Sequence, residues 1–404
     1  MARPVPGGDR SGPGDQARHP GALGPPAPVS RADTGRSIAT IIAFGLALGA
    51  STVTFPLLAL DAGISAPVVG ALAAVSGASQ LTSRLALPWL LERVPDRALI
   101  VSACVAMALS GATLLVSTAF AAFVGAQLLQ GLARALFWTS SQTHAVRSPG
   151  TPIRRLAQVH SSGHVGSLAG PAAAGALLAL SPHLALGLVV AAAVAGMVTG
   201  SLLVRRAPYA RRPRGTRRSR LWRRRTVALG CWTSFCAGGW RGILDAFVPV
   251  VLATAGLSTA TIGWLVAVAE GAVVVVAVAL ARYGREPFGQ LVRFGAMAVL
   301  AGATVLPAVA GQPVLAGVAL AVAGAGAGLA GSVGPAMVNA SVHERDQGMA
   351  IALTGTYRAA ARLATPAVLA TAGGLVGVPL AIALTAAGMV APVLGLGVVS
   401  RRPG

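Results

Sequence analysis

The chain has 404 residues, of which 54% are hydrophobic and only 11% are charged, and its mean hydropathy is +0.72. Soluble proteins carry roughly 25% charged residues, so this chain has too few polar side chains to cover a water-facing surface. All 32 basic residues are arginine, and eleven of them lie between Arg205 and Arg225. A basic loop beside a membrane is the ordinary means of fixing orientation, so we expect no nucleic acid partner.

Long apolar segments alternate with short polar breaks from Ser37 onward. A membrane-spanning helix needs about 20 apolar residues, whereas strands of a membrane barrel would be about 10 residues long and alternate in polarity. The sequence therefore predicts an all-α polytopic membrane protein with twelve transmembrane helices. The predicted spans are 38–60, 67–91, 98–117, 119–145, 157–180, 184–204, 227–253, 261–281, 291–310, 314–340, 348–375 and 378–399.

A repeated pattern divides these spans into two sets of six. The pattern Pro-x6-Gly-Ile/Leu-Ser-x4-Gly begins at Pro56 and again at Pro249, 193 residues later. Duplicated halves are an architecture in which a site near the bilayer midplane opens to either side, so we predict two pseudo-symmetric six-helix bundles. The predicted regions are a disordered cytoplasmic tail over 1–36, a first bundle over 37–204, a basic linker over 205–225, a second bundle over 226–400 and a C-terminal tail over 401–404.

The arginines predict the orientation in the membrane. If both termini are cytoplasmic, 27 of the 32 arginines fall on the cytoplasmic side, counting Arg293 at the cytoplasmic end of the ninth span; the other five lie deeper within spans, and the opposite loops contain none. Cytoplasmic loops carry the excess of basic residues in membrane proteins. We therefore expect a protein of the cell (inner) membrane with both termini in the cytoplasm.

Two short motifs carry a resemblance to a known family. Residues 91–97 read Leu-Glu-Arg-Val-Pro-Asp-Arg after the second span, and the fifth span contains Gly-x3-Gly-Pro-x3-Gly from Gly166. Together with the six-plus-six layout, these motifs resemble the major facilitator superfamily of transporters, and the fifth-span motif is best known from its proton-coupled export members. The residues that the resemblance marks for conformational change are Glu92, Arg93, Arg97, Gly166, Gly170, Pro171 and Gly175.

The fourth span departs from the pattern of that family. Many proton-coupled members carry an arginine three residues before a Gln-Gly pair, and here the pair is Gln130-Gly131 but the arginine position is Gln127. Arg134 lies one turn beyond the pair and is a candidate to replace the missing arginine.

Five arginines and two acids lie deep within the predicted spans, where a charge costs roughly 2.5–3.5 kcal/mol or more. Arg241 and Asp245 are four residues apart on one helix, so they form either an internal salt bridge or a pair that breaks during transport. Glu270 has no basic residue within one turn, and desolvation would let its carboxyl load and release a proton near neutrality. It is the candidate for proton coupling, the alternative being a glutamate that faces the lumen or pairs with arginine.

The remaining intramembrane groups are basic or aromatic. Arg358 and Arg362 are four residues apart, and together they can bind a carboxylate or phosphate unless one of them pairs with an acid of another helix. Arg84 is predicted to have a structural role near the membrane surface. Trp240 could line the pathway or anchor the chain at the lipid interface. His160 and His164 in the fifth span are four residues apart, a spacing that can hold a metal ion, but no cysteine or acid lies near them in the sequence. We therefore expect no metal site.

The composition and the resemblance together predict a secondary active transporter that works by alternating access. We expect proton-coupled efflux of a drug-like molecule or secondary metabolite, and the surplus of arginine within the spans favours an acidic one. The alternatives are uptake of a small anionic nutrient and a transporter-like receptor or sensor. No catalytic motif or nucleotide-binding loop is present, so we expect neither an enzyme nor a cofactor. The expected partners of this monomer are the lipid bilayer, a small-molecule substrate and protons.

Overall fold

The computed structural model describes residues 31–148, 152–208, 223–283, 288–342 and 347–399, which form thirteen helices and, within those ranges, no strand. Most of the predicted N-terminal tail, most of the linker 205–225 and the C-terminal tail 401–404 lie outside the described residues. The helices are α1 Arg31–Asp61, α2 Ala66–Leu91, α3 Asp96–Val116, α4 Phe120–Val146, α5 Pro152–Leu180, α6 Pro182–Ser201, α7 Arg225–Ala246, α8 Val248–Thr254, α9 Thr259–Tyr283, α10 Phe288–Val309, α11 Pro313–Ala340, α12 Gln347–Val376 and α13 Val378–Val399.

The described helices fit the predicted twelve spans. Ten of them are long and apolar enough to cross a membrane, and the bent pair α7–α8 adds an eleventh. The helix α2 is 26 residues long but carries Arg84 and several hydroxyl side chains. With α2 the count reaches twelve, and the fold is that of an all-helical, multi-pass membrane protein. Large apolar side chains remain exposed on these helices, as a lipid-facing surface requires; they include Leu85, Phe120, Trp264, Val275, Phe294, Val314 and Leu375.

The seventh predicted span, 227–253, is not one straight helix. The chain bends by 40° between α7 and α8, at Phe247. Pro249 lies two residues after the bend; proline has no N–H to donate and its ring crowds the carbonyl four residues earlier, which here belongs to Asp245. In the first half the equivalent Pro56 lies inside α1, which continues to Asp61.

The first helix starts earlier than predicted. The expected disordered tail extends to residue 36, but α1 begins at Arg31. The carboxylate of Asp33, in the first turn, is buried, accepts a hydrogen bond of 2.9 Å from the backbone N–H of Val204, and lies 3.4 Å from His144 and 3.5 Å from Arg206. An acid is favourable at a helix N-terminus, and these contacts attach the first turn to the bundle.

The repeated turns adopt the same conformation in both halves. Gly63 and Gly256 have φ values of +80° and +84°, a left-handed conformation that glycine adopts without steric cost. In each turn the next residue donates its N–H to a carbonyl five residues earlier, over 2.9 Å for Ile64 and 3.2 Å for Leu257. This pattern ends a helix and satisfies its last carbonyls, so the repeat specifies a turn as well as a spacing.

Each half has its own apolar core, but the two cores exchange side chains at one end of the molecule. Val250 of α8 packs into a first-half cluster with Phe55 and Leu58. In the other direction, Val53 and Leu57 of α1 pack into the main second-half cluster. By the arginine distribution, this end is the predicted extracellular side.

Glycines bring helices of opposite halves into close contact along the seam, which is the surface where the halves meet. A Cβ atom placed on Gly77 of α2 would lie 2.6 Å from the carbonyl oxygen of Arg362 in α12. A Cβ atom on Gly175 of α5 would lie 2.8 Å from the Cα atom of Gly263 in α9. Small residues allow membrane helices to approach at such distances. The pairs α2–α12 and α5–α9 therefore form the seam at which the candidate site lies.

Candidate functional site

A cluster of ionised side chains, which we call the seam network, connects the two halves. Arg134 of α4 donates a hydrogen bond of 2.9 Å to the carboxylate of Asp245 in α7. Arg241 of α7 lies 2.8 Å from the same carboxylate and also forms an ion pair with Glu270 of α9. Arg362 of α12 completes the network at 4.0 Å from Asp245. The structure thus brings together five of the residues that the sequence predicts for the pathway.

Asp245 is the centre of this network. Its side chain is 9% exposed and receives arginines from α4, α7 and α12. The hydroxyl of Thr52 in α1 lies 3.4 Å from its second oxygen. The Arg241–Asp245 pair expected from their spacing is therefore present, but it is one part of a larger network that includes Arg134 of the first half.

Glu270 is fully enclosed, with 1% of its side chain exposed. It has no basic neighbour on its own helix, but Arg241 reaches it from α7 and the Nδ1 atom of His164 lies 3.9 Å from its carboxylate. Glu270 has no charged neighbour nearby in the sequence, but in the structure it has two partners, which come from other helices. Contacts between polar side chains run from Arg134 through Asp245 and Arg241 to Glu270 and then to the imidazole of His164 in α5.

Uncharged polar groups of the first half complete the site. The side-chain amide of Gln130 donates a hydrogen bond of 2.8 Å to Ser51, and the hydroxyl of Ser76 donates one of 3.4 Å to the Gln130 carbonyl. These groups line a cavity of about 20 Å³, which has room for about one water molecule. Gln127 also lines it, together with Arg134. The seam is therefore closed around the network in this conformation.

Arg358 and Arg362 do not share one partner, although one turn separates them. Arg362 approaches Asp245, whereas Arg358 donates a hydrogen bond of 2.9 Å to the backbone carbonyl of Gly331 in α11. The side chain of Arg84 donates one of 3.0 Å to the carbonyl of Gly355, across the seam. The predicted joint anion site of the α12 pair is thus divided between two places, and Arg84 belongs to the seam and not to the membrane surface.

Trp240, which the sequence also predicts for the pathway, does not line the cavity in this conformation. Its side chain is 1% exposed and lies in the apolar core of the second half. Trp240 precedes Arg241, so on an α-helix the two side chains point about 100° apart. That rotation directs the indole into the core while the arginine reaches the seam.

The motif after α2 is built into the first half by local contacts. Glu92 caps the C-terminus of α2. The guanidinium of Arg93 lies 4.1 Å from the ring centre of Trp89, and Arg97 donates a hydrogen bond of 3.2 Å to the carbonyl of Leu203. Asp96, which the sequence reading left without a role, is fully buried and forms an ion pair of 3.3 Å with Arg147 at the end of α4. The motif thus connects α2, α3 and α4 with the chain after α6.

The glycine-proline motif of α5 lies between α1 and α9. A Cβ atom on Gly166 would lie 2.6 Å from the backbone nitrogen of Leu46, and one on Gly170 would lie 2.6 Å from that of Ala50. The ring of Pro171 faces Gly49 of α1, and Gly175 faces α9. The motif therefore allows one helix to pack closely against the first half on one face and against the second half on another.

Sequence reasoning missed a second polar cluster, formed by Asp33, His144 and Arg206. Two of these residues lie at the ends of spans and the third lies in the basic linker, so their distance in sequence hides their contact. Among the described residues, no three histidine, cysteine or acidic side chains are grouped as a metal site would require. All three cysteines are buried and free.

The chemistry available to the seam network is ionic and reversible. Three arginines and two carboxylates, a formal sum of +1, hold α4, α7, α9 and α12 together. Breaking a buried ion pair by neutralising one partner costs about 3–5 kcal/mol. Protonation of either carboxylate therefore changes the free energy that holds the halves together.

Comparisons with known proteins agree with this architecture. The profile of the Major Facilitator Superfamily matches residues 38–366. A structure of a nucleoside transporter, a mutant of NupG, superposes with a TM-score of 0.71 at 12% identity, over 92% of this chain and all of the other. A peptide transporter of the POT family, also a mutant, gives a TM-score of 0.71 at 13% identity, over 91% and 94% of the two chains.

Another POT family transporter, in complex with a thioalcohol-conjugated peptide, gives a TM-score of 0.70 at 11% identity, over 91% and 96% of the chains. At these identities the likeness shows the fold alone. A comparison with curated proteins found no match. The family profile covers most of the chain, and the described helices have the fold of transporters. This chain therefore belongs to the Major Facilitator Superfamily and is a membrane transporter, not an enzyme.

Proposed function

We propose that the protein is a proton-coupled secondary transporter that exports a small drug-like molecule or secondary metabolite by alternating access. The observation that carries the proposal is the double attachment of Asp245, which bonds to Arg134 of one half and Arg241 of the other. A pair that crosses the seam must separate when the halves rock apart, so its strength sets the balance between the two open states.

Protonation provides a way to separate that pair. A neutral Asp245 would lose most of its attraction for three arginines, and a neutral Glu270 would release Arg241 to compensate Asp245 alone. Each change redistributes charge across the seam in a region of low dielectric, where charge interactions are strong. Loading a proton from one side and discharging it on the other would thus favour different conformations in turn.

Glu270 is the proposed coupling residue. It is the more enclosed of the two acids, and His164 of the first half lies 3.9 Å from it. A proton on either group therefore changes the electrostatic interaction between the two halves. The proposed carrier works as a monomer in the inner membrane with both termini in the cytoplasm. The arginine distribution supports that orientation.

The test uses inverted membrane vesicles and a panel of fluorescent drug-like compounds, with and without an imposed pH gradient. We expect gradient-dependent accumulation in wild-type vesicles. Glu270→Gln should abolish accumulation but leave exchange of a labelled compound between the two sides intact, because exchange need not discharge a proton. Asp61→Asn, which neutralises an exposed acid at the end of α1, is the matched control and should transport normally. Unchanged accumulation in Glu270→Gln would reject the coupling role.

Uptake of a small anionic nutrient is the second candidate. The observation that favours it is the surplus of positive charge within the spans, five arginines against two acids. The same vesicles separate the candidates, because an importer would move its anion out of inverted vesicles and an exporter would accumulate its compound inside them.

A further inference from the structure

A second group of basic side chains lies at the seam, apart from the seam network. Arg84 of α2 and Arg358 of α12 come from opposite halves, and both contact α12 or its neighbours within one turn of each other. The Arg84 guanidinium bonds to the carbonyl of Gly355, one turn before Arg358, and Arg358 itself bonds to the carbonyl of Gly331. The side chain of Arg84 therefore reaches across the seam to within one helical turn of Arg358.

Neither of these arginines has a carboxylate within ion-pair distance among the described residues. The two acids at membrane depth in that part of the chain, Asp245 and Glu270, are engaged by Arg134, Arg241, Arg362 and His164. A backbone carbonyl satisfies a donor but does not neutralise a cation. The formal charge of the Arg84–Arg358 pair is therefore +2 and is uncompensated, in a location where unpaired charge is costly.

Donor groups at this location are also unused. The Nε atoms of Arg84 and Arg358 are buried and have no hydrogen-bond partner. Buried donors that lack a partner are rare in folded proteins, and each one calls for a physical reason. A guanidinium presents its donors in a planar fork that fits a carboxylate or phosphate.

The surroundings give a ligand a way in. His160 of α5 is exposed. His164, one turn further along α5, keeps 32% of its side chain exposed although it lies 3.9 Å from Glu270 of the other half. Exposed side chains beside a contact between the halves indicate that the seam is accessible at this end of α5.

We propose that Arg84 and Arg358, with His160 at the entrance, form a binding site for the carboxylate or phosphate group of an anionic solute. This proposal rests on the proposed transport function and adds the chemical class of the substrate. The solute supplies the charge that the spans lack, and because it contacts α2 and α12 at once, its binding depends on how the halves are placed. The site differs from the predicted Arg358–Arg362 pair, since Arg362 is occupied by Asp245.

The experiment measures binding to the purified protein in detergent without added lipid, which requires no transport. The probes are three naphthalene derivatives of the same shape, namely 2-naphthoate, 2-naphthyl phosphate and the neutral 2-naphthamide. We expect both anions to raise the melting temperature and the amide to leave it unchanged. Arg84→Gln and Arg358→Gln should each weaken anion binding by about tenfold or more, as the loss of a charge-assisted hydrogen bond implies. The matched control is Arg282→Gln, at the exposed end of α9, which should bind normally.

Conservative variants guard against misfolding. Arg84→Lys and Arg358→Lys retain the charge but lose the fork, so they should fold and bind with intermediate affinity. Equal stabilisation by amide and anions, or unaltered anion binding in both Gln variants, would overturn the site. Anion binding that is displaced by phosphatidylglycerol would assign the site to a lipid headgroup instead of a solute and would also overturn it.

The two proposals fail in different ways. Intact binding with no gradient-driven transport by the wild type would leave the anion site standing and reject the proposed function. Transport of neutral compounds without any anion binding would do the reverse.

Discussion

Thr52 of α1 and Asp245 of α7 occupy equivalent places in the two halves, 193 residues apart, and their side chains meet at 3.4 Å. Around Thr52 the first half contributes mostly neutral polar groups, such as Ser51 and Gln130, with Arg134 as its one ion in the seam network. Around Asp245 the second half contributes ions. The same turn and the same helix positions thus support different chemistry, which shows that the repeat conserves backbone geometry while the two faces of the seam carry separate tasks.

The glycines of the two first helices show the same divergence. Gly45 and Gly49 of α1 face backbone atoms of α5, whereas the equivalent Gly238 and Gly242 of α7 face α12. At Gly49 the nearest atoms to an added Cβ include the Ser167 carbonyl oxygen at 2.9 Å, but at Gly242 they belong to the side chains of α12. At this pair of equivalent positions, close packing is therefore stricter in the first half than in the second.

The largest expected effect comes from neutralising Asp245, the acid at the centre of the seam network. Asp245→Asn keeps the shape but leaves Arg134 and Arg241 without their shared partner. Losing about 3 kcal/mol from a buried ion pair shifts the equilibrium between the two open states by roughly a hundredfold, and transport should fall because one of these states is then rarely populated. Transport of the fluorescent compounds into inverted vesicles measures it.

A swap variant sharpens this test. Thr52→Asp combined with Asp245→Thr moves the carboxylate to the equivalent position of the first half. Partial recovery would show that the seam needs a charge and not a particular half to carry it. Full transport by Asp245→Asn alone would show that transport does not require the negative charge of Asp245.

The next effect concerns the glycines. Gly49→Ala should lower the free energy of unfolding by about 1–3 kcal/mol, because the new methyl group overpacks against backbone. Gly242→Ala should cost less, since the Pro366 ring that it meets at 3.1 Å can shift. Thermal unfolding in detergent provides the measurement.

Gly187→Ala is the control for that series, because nothing lies within 4 Å of an added Cβ atom at this position. It should raise stability by up to about 1 kcal/mol, as alanine favours helix over glycine. Equal losses at Gly49 and Gly242 would contradict the difference in packing between these two equivalent positions.

The smallest effect is expected at the neutral partner. Thr52→Val keeps the volume but removes the hydroxyl near Asp245, and a typical hydrogen bond contributes only about 0.5–1.5 kcal/mol. Transport should fall by less than about tenfold, measured in the same vesicles. A loss as large as that of Asp245→Asn would mean that the Thr52 hydroxyl is as important for transport as the charge of Asp245.

The sequence predicted the span count and the two halves because run length and the repeated turn are local properties of the chain. It identified the charged residues of the seam network as unusual because charges are rare in spans. It could not pair Glu270 with Arg241 and His164, since those partners lie on other helices. Nor could it place Trp240 in the core or start α1 at Arg31, because both depend on contacts with distant residues.

The exchange of side chains between the two cores has a consequence for the resting state. Rocking open on the predicted extracellular side would pull Val53 and Leu57 out of the second half and Val250 out of the first. Exposing a side chain of this kind costs about 1.5–3 kcal/mol. Without a bound solute, the protein should therefore favour the conformation that is closed on that side. In the proposed mechanism, a bound solute or a proton supplies the free energy that opens it.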